Sequence, residues 1–221
     1  MTFSKVNPAK VLIVDDHELV RRGLSEMIDR EVDLTPCGES ADAPSALSRM
    51  REVEPDVVLA DITLREGDGL ELIKQIRASY PRVRVLVVSM HDENLYAERA
   101  IRAGAMGFVS KNEPARRILE AIRSVLNDRV HVSRHLADRL LQRLRTPSPT
   151  PDPNPLDTLS DREIEVLDLL GQGLSTREVA ERLHLAPKTV HTYREHLKEK
   201  LGLRSASELI RHAVARNLLG D

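Results

Sequence analysis

Along the first two thirds of the chain, short apolar runs alternate with longer stretches whose apolar positions recur every three or four residues. The runs are Lys10–Val14, Leu34–Cys37, Val57–Ala60, Val85–Ser89 and Gly107–Val109, and they predict five β-strands. The stretches between and after them, Glu18–Arg30, Ala41–Arg51, Leu70–Arg77, Asn94–Ala103 and Pro114–Leu126, predict five amphipathic helices. Three of the runs, VLIV, VVLA and VLVV, are continuously apolar, as strands covered on both faces are. Five strand-then-helix repeats predict a doubly wound parallel sheet with helices on both faces. In such sheets, sites form at the carboxyl ends of the strands.

The pattern then changes. Arg134–Leu144 reads as one more amphipathic helix, serving either to dock domains or to extend a dimer. Residues 146–155, TPSPTPDPNP, place a proline at every second position, which excludes helix and central strand. Polyproline II would carry this segment about 30 Å as a spacer; a floppy tether is the other reading. The expected boundaries are a first domain over residues 1–130, a linker over 131–155 and a second domain over 156–221.

The second domain reads as four short helices. Ser160 with Glu163, Ser175 with Glu178 and Ser205 with Glu208 have the spacing of capping boxes. They predict helix starts near Asp161, Thr176 and Ala206. Pro187 suits the first position of another helix, Pro187–Leu201. Gly171 and Gly173 break the first helix from the second, and Gly202 ends the third. A helix, the tight turn HLAP and a second helix rich in exposed polar residues make a helix-turn-helix. In the last helix, Leu209, Ile210, Ala213 and Val214 form a stripe that serves the domain core, a dimer seam, or both.

Composition narrows the function. The 221 residues are 41% hydrophobic and 31% charged, with a net charge of −2, an ordinary globular balance. Charge is unevenly placed: residues 1–100 hold 13 basic and 19 acidic groups, whereas residues 101–145 hold 10 and 4. Residues 156–185 hold 3 and 7, and residues 186–216 reverse this with 7 and 3, so positive charge is concentrated in this short helical block. Five scattered aromatics and no tryptophan argue against stacking of single-stranded bases. A single cysteine, Cys37, excludes an internal disulfide and a zinc ribbon. No run is long enough to span a bilayer and the first residues lack a signal-peptide core, so a cytoplasmic location is expected.

The strand ends supply the chemistry. Asp15 and Asp16 follow the first strand, Asp61 the third, Ser89 closes the fourth and Lys111 follows the fifth. Two carboxylates about 5 Å apart repel by roughly 3 kcal/mol at an effective dielectric of 20, so three of them together call for a cation. Oxygen ligands with room for water suit Mg²⁺. Such an ion beside a carboxylate, a hydroxyl and a lysine is apparatus for phosphoryl transfer. No glycine-rich nucleotide cradle of the Walker kind is present, so bound ATP is not the expected donor.

The runs VLIVDDHELVRRGL, DVVLADITLREGDGLELI and VLVVSMHDENLYAERAIRAGAMGFVSK resemble the receiver domain of bacterial two-component response regulators. The resemblance implies a flavodoxin-like receiver in which Asp61 is phosphorylated by a partner histidine kinase. It implies Mg²⁺ held by Asp15, Asp16, Asp61 and the carbonyl of Thr63, with Ser89 and Lys111 meeting the phosphoryl group. Phe108 matches the switch aromatic; plain core packing is its other reading. Where the family usually has a Met-Pro-Gly-like turn, this chain has Leu64, Arg65, Glu66 and Gly67, which implies altered mobility or kinase preference there.

Residues 159–215 resemble the LuxR-type domain of NarL/FixJ-family regulators. This implies that the third helix of the domain enters the major groove of double-stranded DNA. By position, His191, Thr192 and Glu195 read bases, while Lys188, Tyr193, Arg194, Lys198 and Lys200 contact phosphates, joined by Thr176 and Arg177. Ala186 stands where a serine cap is usual, and His191 where lysine is frequent. The resemblance also implies a homodimer formed on phosphorylation or DNA binding. No enzymatic turnover is expected beyond Mg²⁺-dependent self-phosphorylation from a donor and autodephosphorylation. Two competing readings are an aspartyl-phosphate hydrolase of small molecules and a DNA-binding protein with a silent receiver.

Overall fold

The computed structural model describes residues 7–64, 68–90, 93–145, 158–183 and 185–219. The chain divides into two compact units, Met1–Thr146 and Pro147–Asp221. The proline-rich segment, Arg65–Gly67 of the unusual turn and His184 of the HLAP turn lie outside the described residues.

In the first unit, strands β1 (Ala9–Val14), β2 (Leu34–Ser40), β3 (Val57–Ala60), β4 (Arg84–Ser89) and β5 (Gly107–Ser110) alternate with helices α1 (Glu18–Asp29), α2 (Ala43–Val53), α3 (Gly69–Ser79), α4 (Glu93–Ala103) and α5 (Ala115–Leu126). All pairings are parallel, in the order β2-β1-β3-β4-β5. The chain therefore turns back between β1 and β3, and the crevice of a doubly wound sheet lies at that reversal. On one face Val11, Ile13, Val57, Leu59, Leu86, Val88 and Val109 pack against Leu24 and Ile28 of α1 and Ile118, Ile122 and Val125 of α5. Alternate residues such as Leu12, Val14, Val58 and Val87 are equally buried and point to the opposite face, where α2 packs on α3 and α3 on α4.

The helix starts follow from caps. The Asp42 carboxylate accepts from Ser45 N at 2.8 Å, so α2 begins at Ala43, two residues later than periodicity predicts. The Asp68 carboxylate accepts from Leu70 N and Glu71 N, and fixes the start of α3. Strand β2 runs three residues past its predicted end, to Ser40. Pro36 and Gly38 mask it in the sequence, and its register against β1 shifts between Val11 and Leu12. After α5, the chain turns at Asp128 (φ 57°) and starts α6 (Arg134–Arg145).

The second unit holds α7 (Asp161–Gly171), α8 (Thr176–Arg182), α9 (Pro187–Lys200) and α10 (Ala206–Leu219). Ser160–Glu163 and Ser175–Glu178 form complete capping boxes. Ser205 accepts from Glu208 N at 3.1 Å, but the Glu208 carboxylate reaches Arg204 N instead. Gly173 and Gly202 take φ values of 87° and 66°, the left-handed turns that let the chain leave α7 and α9. Ile164, Leu167, Leu170, Val179, Val190, Leu197, Leu209 and Ala213 form the core. The α10 stripe is thus divided: Leu209 and Ala213 are buried, while Ile210 and Val214 stay exposed. Among the described residues no helix is long and apolar enough to cross a membrane.

Candidate functional sites

Register builds the first site. Val14 pairs with Ala60, and Asp61 N donates to the Val14 carbonyl at 2.8 Å, so the residues ending β1 and β3 emerge side by side. Lys111 N donates to the Ser89 carbonyl at 2.8 Å, which brings the β4 and β5 ends to the same rim. Ser89 Oγ donates to Asp61 Oδ1 at 2.8 Å. Lys111 Nζ lies 2.6 Å from Asp61 Oδ2 and 2.5 Å from Asp15 Oδ2. Asp15, Asp61 and Ser89 are 2%, 4% and 0% exposed.

The charges do not balance. Three carboxylates face one ammonium. Burial pushes the Asp15 carboxyl up, with Asp61 adding to the rise and Lys111 opposing it. Burial works against the Lys111 cation, but Asp61 and Asp15 outweigh it and hold its pKa above the ordinary lysine value. Asp16 Oδ1 is buried and makes no hydrogen bond of good geometry, although His17 Nδ1 lies 2.7 Å away. Ligand atoms of Asp15, Asp16, His17 and Asp61 all lie within 4.8 Å of one another. Three carboxylates gathered around one ammonium, with oxygen ligands close together, fit a divalent metal ion. Sequence reasoning passed over His17, although it directly follows the acidic pair.

Phe108 lies on β5, 3% exposed, opposite Val87 of β4, with its ring in the core. Thr63 is half-buried, and its N–H approaches Asp61 Oδ1 at 3.4 Å.

The second site is the outer side of α9. Val190 and Leu197 turn inward, and Lys188, His191, Thr192 and Glu195 are exposed. Several of the predicted contact residues have partners within the domain. Glu195 is held by Lys198 at 2.8 Å, with His191 3.9 Å away. Thr192 Oγ donates to the Lys188 carbonyl. The Arg194 guanidinium donates to the Thr176 hydroxyl, tying α9 to the start of α8. Tyr193 is half-buried and Arg177 is exposed. Lys200 departs most from expectation. Its ammonium lies 2.7 Å from Glu163 Oε2, the carboxylate that also accepts from Ser160 N at 2.7 Å. Lys200 therefore joins α9 to the cap of α7 through a buried acid 37 residues away. Ala186 offers α9 no side-chain cap.

Comparison with known proteins agrees with this architecture. Residues 11–123 match the response regulator receiver domain, and residues 157–213 match the bacterial regulatory proteins of the luxR family. The oxygen regulatory protein NreC of Staphylococcus aureus is 34% identical over 214 residues, covering 95% of this chain and 99% of that protein. The structure of response regulator ChrA, from a heme-sensing two-component system, is 31% identical over 96% of this chain and 98% of that one, with a TM-score of 0.51. A LuxR-family two-component response regulator from Aurantimonas sp. SI85-9A1 is 32% identical, covers 63% of this chain and 100% of its own, and has a TM-score of 0.57.

Proposed function

The chain belongs to the two-component response regulators that carry a LuxR-type DNA-binding domain, and from that premise we propose that Asp61 is its phosphoacceptor and the strand-end pocket its switch. The observation that carries this reading is the convergence of Ser89 Oγ and Lys111 Nζ on the two oxygens of one buried carboxylate, Asp61. A carboxylate oxygen of Asp61 attacks the phosphorus of a phosphohistidine on a sensor kinase. The P–O bond forms, the P–N bond breaks, and the imidazole leaves. Lys111 then pairs with the new anion, and Ser89 donates to one of its oxygens. Asp15, Asp16, Asp61 and the Thr63 carbonyl would hold Mg²⁺, which supplies positive charge against the anion of the transferring group. Ser89 and Lys111 already reach Asp61 and Phe108 already lies in the core; the added charge strengthens that hold and so favours this arrangement of the β4 and β5 ends over looser ones.

The output is a change in dimerisation and in sequence-specific DNA binding through α9. His191, Thr192 and Glu195 face base edges, and Lys188, Tyr193, Arg194 and Lys198 face phosphates, with Thr176 and Arg177 at the start of α8. Lys200 serves the domain's stability first. Ile210 and Val214 offer an apolar seam to a second copy. The protein works in the cytoplasm and turns over no free substrate; its only chemistry is its own phosphorylation and dephosphorylation.

The test measures DNA affinity and mass in solution, with and without Mg²⁺ plus a small-molecule phosphodonor. The expected result is tighter binding and a shift to dimer in the parent chain, both lost in Asp61→Asn. Equal stimulation of Asp61→Asn would overturn the assignment.

A further inference from the structure

The segment leaving the receiver lies against the sheet. His131 N donates to the Met106 carbonyl and Phe108 N donates to the His131 carbonyl, both at 2.9 Å. Together they form a parallel bridge between Gly107 and His131, on the side of β5 away from β4. The approach is close enough to require glycine: a Cβ on Gly107 would sit 2.7 Å from the His131 carbonyl oxygen. Two residues later, Ser133 N donates to Glu93 Oε1 at 2.9 Å. Glu93 opens α4, four residues after Ser89. Ser133 in turn starts α6, its Oγ accepting from Leu136 N at 3.2 Å and its carbonyl from Ala137 N at 3.0 Å. Leu136 is 1% exposed, where α6 packs on α4.

The segment leading into α6 is thus held by the β5 backbone, at Met106 and Phe108, and by the Glu93 carboxylate. Each adjoins an element that the phospho-switch holds. We infer that Val130–Leu136 is a latch that couples occupancy of Asp61 to the anchoring of the linker helix. This rests on the reading of Asp61 as phosphoacceptor. In the present arrangement Ser89 is on Asp61, Phe108 is in the core and the latch is closed. Loading acts on the first two, and both adjoin the third through the β5 backbone and the start of α4. The coupling is reciprocal, so opening the latch weakens the loaded state by the same factor that loading tightens the latch. The contacts are main-chain bonds and one carboxylate, so the His131 imidazole is not the carrier.

The experiment follows amide hydrogen exchange in the full chain by NMR, with Mg²⁺ and with or without beryllofluoride, a non-covalent phosphoryl mimic. Loading at Asp61 is read separately from the fluorine signal. Protection of the Phe108, His131 and Ser133 amides is expected to rise by roughly tenfold on loading, a typical coupling factor. Glu93→Ala should lower Ser133 protection without beryllofluoride and weaken beryllofluoride binding by a similar factor. Gly107→Ala should do the same at Phe108 and His131; Glu93→Ala keeps the test open if Gly107→Ala folds poorly. Loading with unchanged protection at all three amides overturns the latch while leaving the phosphoacceptor reading intact. Absence of a bound fluorine signal overturns both.

Discussion

Asp15 in the receiver and Glu163 in the DNA-binding domain are each 2% exposed, and each touches a lysine, at 2.5 and 2.7 Å. Yet their acidities move in opposite directions. Burial raises Asp15, and Lys111 does not offset it because that ammonium is shared with Asp61. Burial also disfavours the Glu163 anion, but Lys200 and the Ser160 amide overcome it and hold this carboxyl below its ordinary value. Glu163 is fully compensated by the chain itself, as a structural acid is. Asp15 is left short of positive charge, in a cluster of carboxylates that fits a divalent cation.

The contrast can be broken by substitution. The largest effect belongs to Glu163→Ala, which strands Lys200 and the Ser160 amide. It should cost the DNA-binding domain about 2 kcal/mol, the scale of hydrogen bonds to a charged group, because the exposed Lys200 can be solvated once unpaired; denaturation followed through amide signals of α7–α10 reads it. An unchanged domain would mean that the Lys200 tie carries nothing. Asp15→Asn should act with the opposite sign. Relieving its repulsion with Asp61 should stabilise the receiver by ~1 kcal/mol, while affinity for divalent cations collapses. A melting curve with and without Mg²⁺ reads both, and a destabilised receiver would place Asp15 among the structural acids.

Acid sharpens the comparison by a smaller amount. A carboxyl whose folded pKa is depressed lends stability that is complete above its ordinary value of 4.5 and fades as pH falls through the folded value. The DNA-binding domain should therefore weaken in that window, and Glu163→Gln should flatten the slope. The smallest effect separates the cations of α9. Lys188→Ala should reduce the dependence of log DNA affinity on log salt by about one per subunit. Lys200→Ala should leave that slope nearly unchanged, because Glu163 already occupies its charge. Equal slopes for the two variants would return Lys200 to the phosphate contacts.

The pocket residues were legible because strand ends in a doubly wound sheet fall together whatever lies between them. VLIV, VVLA and VLVV announce buried strands, and the polar residue after each is already placed by topology. The helix starts at Asp161, Thr176 and Ala206 were legible because a serine cap is local, a complete capping box in the first two and Ser205 alone in the third. Lys200 was read as a phosphate contact; it is exposed, but nothing in PKTVHTYREHLKEK reveals its partner Glu163, 37 residues earlier. The end of β2 was hidden by Pro36 and Gly38, which an edge strand tolerates and a central one does not. The bridge at His131 is too short to carry a periodic signal, and Val130 and Val132 are its only β-branched flank.

The two outer strands of the sheet meet water under different protection. Strand β2 carries Pro36, which has no N–H to offer a stranger, and its irregular register breaks the regularity of the edge. Strand β5 has neither defence and relies on His131 lying across it. A receiver cut just after α5 would keep its hydrophobic core and lose that cover. Its β5 would then present open N–H and C=O groups to any neighbouring strand. A chain shortened there should stick to itself in solution, and one cut beyond α6 should not.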